Sequence, residues 1–455
     1  MKFLEFTTSL QQKLNLIFNN IQSKLQGPTT QKILANIGWL TIERLLRMGL
    51  GFGVGVWVSR YLGPEKLGLY SYAIAFVTIF GTVATLGLER IVVRDLVRFP
   101  EREDRLLGTA LILKFLAAII TYLLLLPFSY FLHSGNPEAH FLIGIVGIGI
   151  VFQSLDPIDF WFQSKVQSKY TAYAKSAAFT LISFIKILLI IFNAPLTMFA
   201  WAGVAEVGIT SLGLVIAYLR MDTTSKKLSY CYTTARHLLK DSSPFILSGL
   251  MIMIYMRIDQ IMVTRISGEY EAGLYSAAVV IAEAWNFVPL IVVPSVLPNM
   301  VTTLANNEEF FYQKMQFLYN AIAAFFYAIA IPTTLLSGWI MPTIFGADYA
   351  DASPMLAVLI WSSLFLGLGI ARSSFLTAKN WAYLHFLAMA SGCVINLSLN
   401  FAFIPAFGGL AAAVTTLISY GFAAYLSCFF SKKLIRNGQM MTAALSFRWR
   451  WRGNF

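Results

Sequence analysis

Twelve apolar stretches decide what this chain can become. They run over 33–58, 67–88, 106–132, 141–162, 176–192, 196–219, 245–263, 272–297, 315–336, 355–371, 383–403 and 409–430. Each is about as long as the helix that crosses a bilayer core. In hydrocarbon every backbone N–H and C=O must find its partner inside the protein, so spans of this length are helices. The expected fold class is all-α, a polytopic membrane protein with twelve transmembrane helices. A chain of 455 residues that is 57% hydrophobic and 12% charged leaves no soluble alternative.

One stretch is written twice. VSRYLGPEKLGLYSYA, starting at Val58, aligns without a gap to VTRISGEYEAGLYSAA, starting at Val263, with eight identities in sixteen columns. Among them are Gly63/Gly268, Gly68/Gly273 and Tyr70/Tyr275, all at a spacing of 205. So long a period means two copies of a lobe. Six spans per lobe is an even number, so both lobes point the same way, related by a pseudo-two-fold axis along the membrane normal. The expected units are an amphipathic N-terminal segment over 1–31, an N-lobe over 32–220, an inter-lobe loop over 221–243, a C-lobe over 244–431 and a basic tail over 432–455. Phe3, Phe6, Leu10, Leu14, Ile17, Ile21 and Leu25 recur at helical spacing in the first segment, as in a helix lying on a membrane surface rather than a signal peptide.

Charge distribution gives orientation. The connections on the side of the termini hold 26 Lys and Arg, among them Arg90, Arg94, Arg372 and Lys379, against Arg60, Lys66 and Arg265 opposite. By the positive-inside rule both termini are cytoplasmic. The net charge of +12 is thereby a topology signal and a grip on anionic lipid headgroups, and nucleic acid is not an expected partner. The tail FRWRWRGNF mixes Arg and Trp as an interfacial anchor does.

The remaining five basic residues, Arg44, Arg47, Lys114, Lys186 and Arg257, fall inside spans. Each costs about 2.5–3.5 kcal/mol at a helix centre on insertion scales, so it faces a watery cavity, a partner or the interface. Lys114 and Lys186 fit local pairing or snorkelling as well as function. In TIERLLRMGL, Glu43 and Arg47 are four apart and can pair, whereas Arg44 is rotated by about 100° and lacks a local partner. Arg44 is thereby a candidate ligand for an anionic substrate group, the alternative being a buried network that ties helices together. Arg257 and Asp259 lie about 200° apart around one helix and cannot share a face. Asn396 and Asn400 share a face of the eleventh span, and Thr415 and Thr416 follow on the twelfth. Oxygen ligands of this kind, joined by Asp259, suit Na⁺, or they act as helix-to-helix hydrogen bonds. Glu206 and Glu283 are further intramembrane acids suited to proton or cation duties.

Pro289, Pro294 and Pro298 are expected to interrupt the eighth span, and Pro332 the ninth. No G-x-x-x-x-G-K-[ST] motif is present. His133, His140, His237 and His385 are scattered without metal-ligand spacing, and the three cysteines form no disulfide or metal pattern. Short outward connections argue against a membrane polymerase or ligase, so the expected class is a transporter and not an enzyme, with no cofactor.

RMGLGFGVGVWVSRYLGPEKLGLYSYAIAF, GLERIVVRDLV, DPIDFWFQ, MRIDQIMV, FGADYADA and INLSLNFAFIPAFGGLAAA resemble the polysaccharide-transporter, or O-antigen flippase, branch of the multidrug/oligosaccharidyl-lipid/polysaccharide exporter superfamily. The resemblance covers about residues 31–431. It implies a V-shaped two-lobe transporter of the cytoplasmic membrane, moving undecaprenyl-pyrophosphate-linked oligosaccharide from the inner to the outer leaflet, driven by an ion gradient or the membrane potential. A polysaccharide polymerase and chain-length machinery would be its partners. The related lipid II flippases use arginines of the first and seventh helices toward pyrophosphate, which matches Arg44 and Arg257 here, with Arg47 beside them. Their sodium site matches Asp259 and Asn396, but Asn400 stands where they carry an acid. Two further C-terminal helices of those flippases are missing from this chain, which argues against lipid II as cargo. A multidrug cation antiporter of the same superfamily is the rival reading, and the basic residues of the first span oppose it.

Overall fold

A computed structural model describes residues 28–132, 136–221, 228–379 and 381–447. The N-terminal segment up to Gly27, residues 222–227 of the inter-lobe loop, His133 and the Arg/Trp tail from Arg448 lie outside the described residues. Among those described there is no strand, and ten helical runs are long and apolar enough to cross a membrane. Two of the ten hold two crossings each, which reconciles them with the twelve expected spans.

Helix α1 (Pro28–Ala84) reverses at Gly63, whose φ of 72° and ψ of 171° are not helical. The cavity that Gly51, Val58, Leu67 and Ile74 line together shows the two arms folded side by side. The counterpart in the second half is the junction of α8 (Tyr232–Ser267) and α9 (Glu269–Glu283) at Gly268, with φ 93° and ψ 173°. Both turns lie in the left-handed half of φ space, where a Cβ is strained. That is the physical reason Gly63 and Gly268 match in the repeat.

Between these hairpins come α2 (Glu89–Arg98), α3 (Glu103–Leu132), α4 (Pro137–Phe152), α5 (Pro157–Ser164), α6 (Lys169–Ile191) and α7 (Leu196–Arg220). After α9 follow α10 (Phe287–Asn306), α11 (Glu308–Phe345), α12 (Ser353–Ala378), α13 (Ala382–Ala424) and α14 (Ile435–Leu445). Helix α13 reverses at Gly408, so that Gly392 on one arm packs on Ala423 of the other. Buried apolar residues gather by half. Val54, Tyr72, Leu142 and Phe199 share one core, Leu274, Tyr275, Leu356 and Ile404 another.

The two repeat copies touch each other. A Cβ on Gly68 would overlap the carbonyl oxygen of Glu269, and a Cβ on Gly273 would overlap that of Pro64. Glu269 is the repeat equivalent of Pro64, so the contact maps onto itself when the lobes exchange, and the pseudo-two-fold axis passes through it. Tyr349 OH donates to Ser59 O at 2.6 Å, and Asn136 Nδ2 to Glu269 Oε1 at 2.6 Å. These contacts define a glycine end where the lobes are sealed. At the opposite, basic end Arg94 binds Asp241 at 2.7 Å and the lobes part around a cleft.

Several expectations change. The eighth span is not broken at each proline. A single 3-10 turn at Ala284–Asn286 precedes Pro289, and α10 runs on through Pro294 and Pro298. Proline at 289 clashes with the carbonyl four residues before it, that of Trp285, so the distortion falls there. In the same way Pro157 breaks the fourth span at Gln153–Leu155. Pro332 sits within the unbroken α11. Residues 232–243 of the expected inter-lobe loop are helical, forming the first turns of α8. The basic tail contains α14, which buries Asn437, Met440, Met441 and Ala444. Arg372 does not lie in a connection: α12 extends to Ala378, leaving Arg372 2% exposed. Its NH1 donates to Ala423 O, to Ala424 O at 3.3 Å and to Ser427 Oγ at 2.9 Å, sharing the last carbonyls of α13 with the side chains of Ser427 and Cys428.

Candidate functional site

Two chambers adjoin near the middle of the molecule. The larger, of about 1070 Å³, lies between the first arm of α1, α9, α10, α11 and α12. Its wall is mostly apolar (Phe52, Val280, Phe287, Leu290, Ile344), with Arg44, Arg47 and Glu283 as its charged members. The second, of about 780 Å³, is the cleft at the basic end, and it is the more polar of the two: Glu89, Arg90, Lys114 and Asp156 from the first half face Ser248, Thr377 and His385 from the second, among apolar residues such as Leu247, Met251 and Phe386. The two approach each other within about a helical turn. Met256 and Ile370 line the first where Ile252 and Ser373 line the second.

The basic residues inside spans divide sharply. Arg47 Nε bonds Glu43 Oε1 at 3.0 Å, as four-residue spacing predicts, and its NH1 lies 3.6 Å from Glu206. Lys186 also approaches Glu206, at 3.8 Å, so that acid serves two cations. Lys114 is 3% exposed and pairs with Asp156 at 2.7 Å. Arg44 is exposed on the apolar chamber's wall and has no hydrogen bond or ion pair among the described residues. Arg257 is half-buried beside Glu283, and it is not among the residues lining that chamber. The structure thus brings Arg44 and Arg47 together and leaves Arg257 one layer back.

In the second half, the residues named as cation ligands converge. Asp259 is 4% exposed. Its Oδ1 accepts from Asn400 Nδ2 at 2.5 Å, and its Oδ2 accepts from Thr416 Oγ1 at 2.5 Å and Tyr275 OH at 3.1 Å. Asn400 also donates to Asn396 Oδ1 at 3.2 Å and accepts from Thr415. Helices α8, α9 and both arms of α13 meet in this cluster. Beside it is a void of about 20 Å³ lined by Asp259, Tyr275, Thr416 and Glu283, room for one water-sized particle. No basic side chain pairs with Asp259 among the described residues. Tyr275 was legible only as a repeat identity. Its first-half twin Tyr70 donates instead to Phe199 O at 3.3 Å, so nothing in the pattern marked Tyr275 as an Asp259 partner. No group of His, Cys, Asp and Glu capable of holding a transition metal occurs among the described residues.

Known proteins agree with this architecture. The chain is 22% identical over 374 residues to a putative O-antigen transporter of Shigella flexneri, covering 79% of this chain and 88% of that one. It is 21% identical over 331 residues to the succinoglycan biosynthesis transport protein ExoT of Rhizobium meliloti, 72% of this chain and 66% of that protein. Among solved structures, an inward-facing multidrug resistance MATE transporter of the MOP superfamily superposes with a TM-score of 0.68 at 16% identity, covering 90% of this chain and 99% of that one. The lipid II flippase MurJ, inward closed, gives 0.68 at 18% identity over 89% and 90%. An outward-facing MATE transporter gives 0.59 at 17% identity over 93% and 98%. The profile described as polysaccharide biosynthesis protein matches residues 33–304, more than half of the chain. This multi-pass membrane protein, with the fold of the MOP superfamily, belongs to the polysaccharide biosynthesis protein family.

Proposed function

We propose that the chain moves a lipid-linked oligosaccharide, an undecaprenyl-pyrophosphate bearing an O-antigen or exopolysaccharide repeat unit, from the inner to the outer leaflet of the cytoplasmic membrane by alternating access. The observation that carries this reading is the pair of adjoining chambers. An apolar chamber with a free guanidinium meets an inter-lobe cleft richer in polar and charged side chains, which is the division of an amphiphile into a prenyl tail, an anionic link and a glycan. Arg44, unpaired and beside Arg47, is the pyrophosphate ligand: a guanidinium makes bidentate, charge-assisted bonds to phosphate oxygens. Arg257, held near Glu283, supports the field of the cavity from behind. The same arginines disfavour an organic cation as cargo. The similarity to an O-antigen transporter of Shigella and a succinoglycan transport protein of Rhizobium supports glycan transport. The basic end faces the cytoplasm, where the cleft is open to load.

Coupling is assigned to Asp259. Glu206 is offset by Arg47 and Lys186, and Glu283 lies beside Arg257. Asp259 alone of the three has hydrogen-bond donors but no counter-charge, and a buried carboxylate in that state must be neutralised by a cation or a proton.

The test is deletion of the gene followed by mass spectrometry of the membrane lipids. A glycan-bearing polyprenyl pyrophosphate should accumulate, and the intact chain should clear it. Arg44→Ala should lower export at least about tenfold, the worth of a charged hydrogen bond, at normal membrane abundance by immunoblot. Normal lipid profiles in the deletion strain would sink the reading.

A further inference from the structure

We infer that Asp156, presented by Lys114 at the break in the fourth crossing, is a contact for the sugar rings of the cargo, an inference that rests on the flippase reading above. The local chemistry begins with Pro157. It cannot donate to Gln153 O and its ring displaces that carbonyl, so the helix opens into a 3-10 turn at Gln153–Leu155. Lys114 Nζ, from α3, donates to Gln153 O at 2.9 Å and to Asp156 Oδ2 at 2.7 Å. Lys114 is 3% exposed whereas the Asp156 side chain is 40% exposed. The lysine is therefore the buried support, and the carboxylate is what the cleft sees. Burying an ammonium in a membrane protein is costly, and a purely structural joint is as well made from apolar residues.

The way the pair is used decides the matter. One carboxylate oxygen is bound by Lys114, while Oδ1 has no donor among the described residues. The free oxygen belongs to a chamber that also presents the exposed ring of Phe386, the ring of Phe245 with Arg90 over it, and the hydroxyl of Thr377. Carboxylates that accept from hydroxyls, together with apolar ring faces, are the groups a sugar requires. Charges on the wall cancel, with Glu89 and Asp156 against Arg90 and Lys114. With its charges balanced, the cleft offers a phosphate no net attraction, so the anionic link stays at Arg44 and the ligand class here is a hydroxyl-rich sugar.

The experiment uses the full chain in lipid nanodiscs with two probes: undecaprenyl pyrophosphate without sugar, and the glycan-bearing lipid extracted from the deletion strain. Asp156→Asn should weaken the glycan-bearing lipid about tenfold or more and leave the bare pyrophosphate unchanged. Phe386→Ala lies outside the ion pair and should reduce the same preference several-fold at an unchanged melting temperature; it decides the matter if Asp156→Asn fails to fold. Equal losses for both lipids, or no loss for either, would overturn the assignment. So would a native protein that binds the two lipids alike. If the native protein binds neither, the flippase reading itself fails, and this inference with it.

Discussion

Asp259 shows how far single residues could be read. The sequence placed it with Asn396, Asn400 and Thr415 through four-residue spacing and the rarity of a membrane carboxylate, and all four meet in the structure. Thr416 and Tyr275 complete the shell on Oδ2. Asn400, which occupies the place of an expected acid, donates to Asp259 and leaves one negative charge in the cluster. In vesicles, Asp259→Asn should abolish the dependence of transport on a sodium or proton gradient, because no charge remains to be offset. Transport that keeps its gradient dependence in Asp259→Asn would return the coupling role to Glu206 or Glu283. Other residues were not legible because their partners are remote. Lys114 meets Asp156 across 42 positions, and no periodicity links them. Arg372 reads as a loop residue until α12 is seen to run past it.

Helices and turns were read more reliably than their ends. Apolar length located every crossing, since the bilayer imposes it, but helix termini lie outside that rule. Of the prolines read as breakers, Pro289 alone distorts its span, and Pro157, which was not read as one, opens the fourth; each acts on the carbonyl four residues upstream, so the break precedes the proline. The glycines of the repeat have two separate duties. Gly63 and Gly268 supply left-handed φ values, whereas Gly68 and Gly273 supply the absence of a side chain. Gly68→Val and Gly273→Val should therefore each keep the glycine end from sealing. With Ser59→Cys as reporter, labelling by a membrane-impermeant maleimide from that end should rise several-fold in either variant. Gly149→Ala, where a Cβ meets open space, should leave labelling unchanged. Equal labelling in all variants would show that the helix crossing is not the seal.

At the scale of the whole molecule, the two ends carry different chemistry. Ser59, Asn136, Glu269 and Tyr349 gather at one, and the ion pairs Arg94–Asp241, Lys379–Glu308 and Arg436–Glu309 at the other. Reporter fusions after Leu62, Asn136 and Asp348 should read external, and those after Asp104, Thr224 and Lys433 cytoplasmic. An external signal at Thr224 would break both the orientation and the pairing of lobes.

The reciprocal contact of Gly68 and Gly273 has a historical consequence. An ancestor of one lobe would have made it as a homodimer across a true symmetry axis, where any replacement of that glycine struck both sides of the interface at once. In a single chain the two glycines are separate positions, so a replacement at either strikes one side of the crossing only. Matched positions are thereby free to differ, and Tyr70 on a backbone carbonyl against Tyr275 on a buried carboxylate shows that they do.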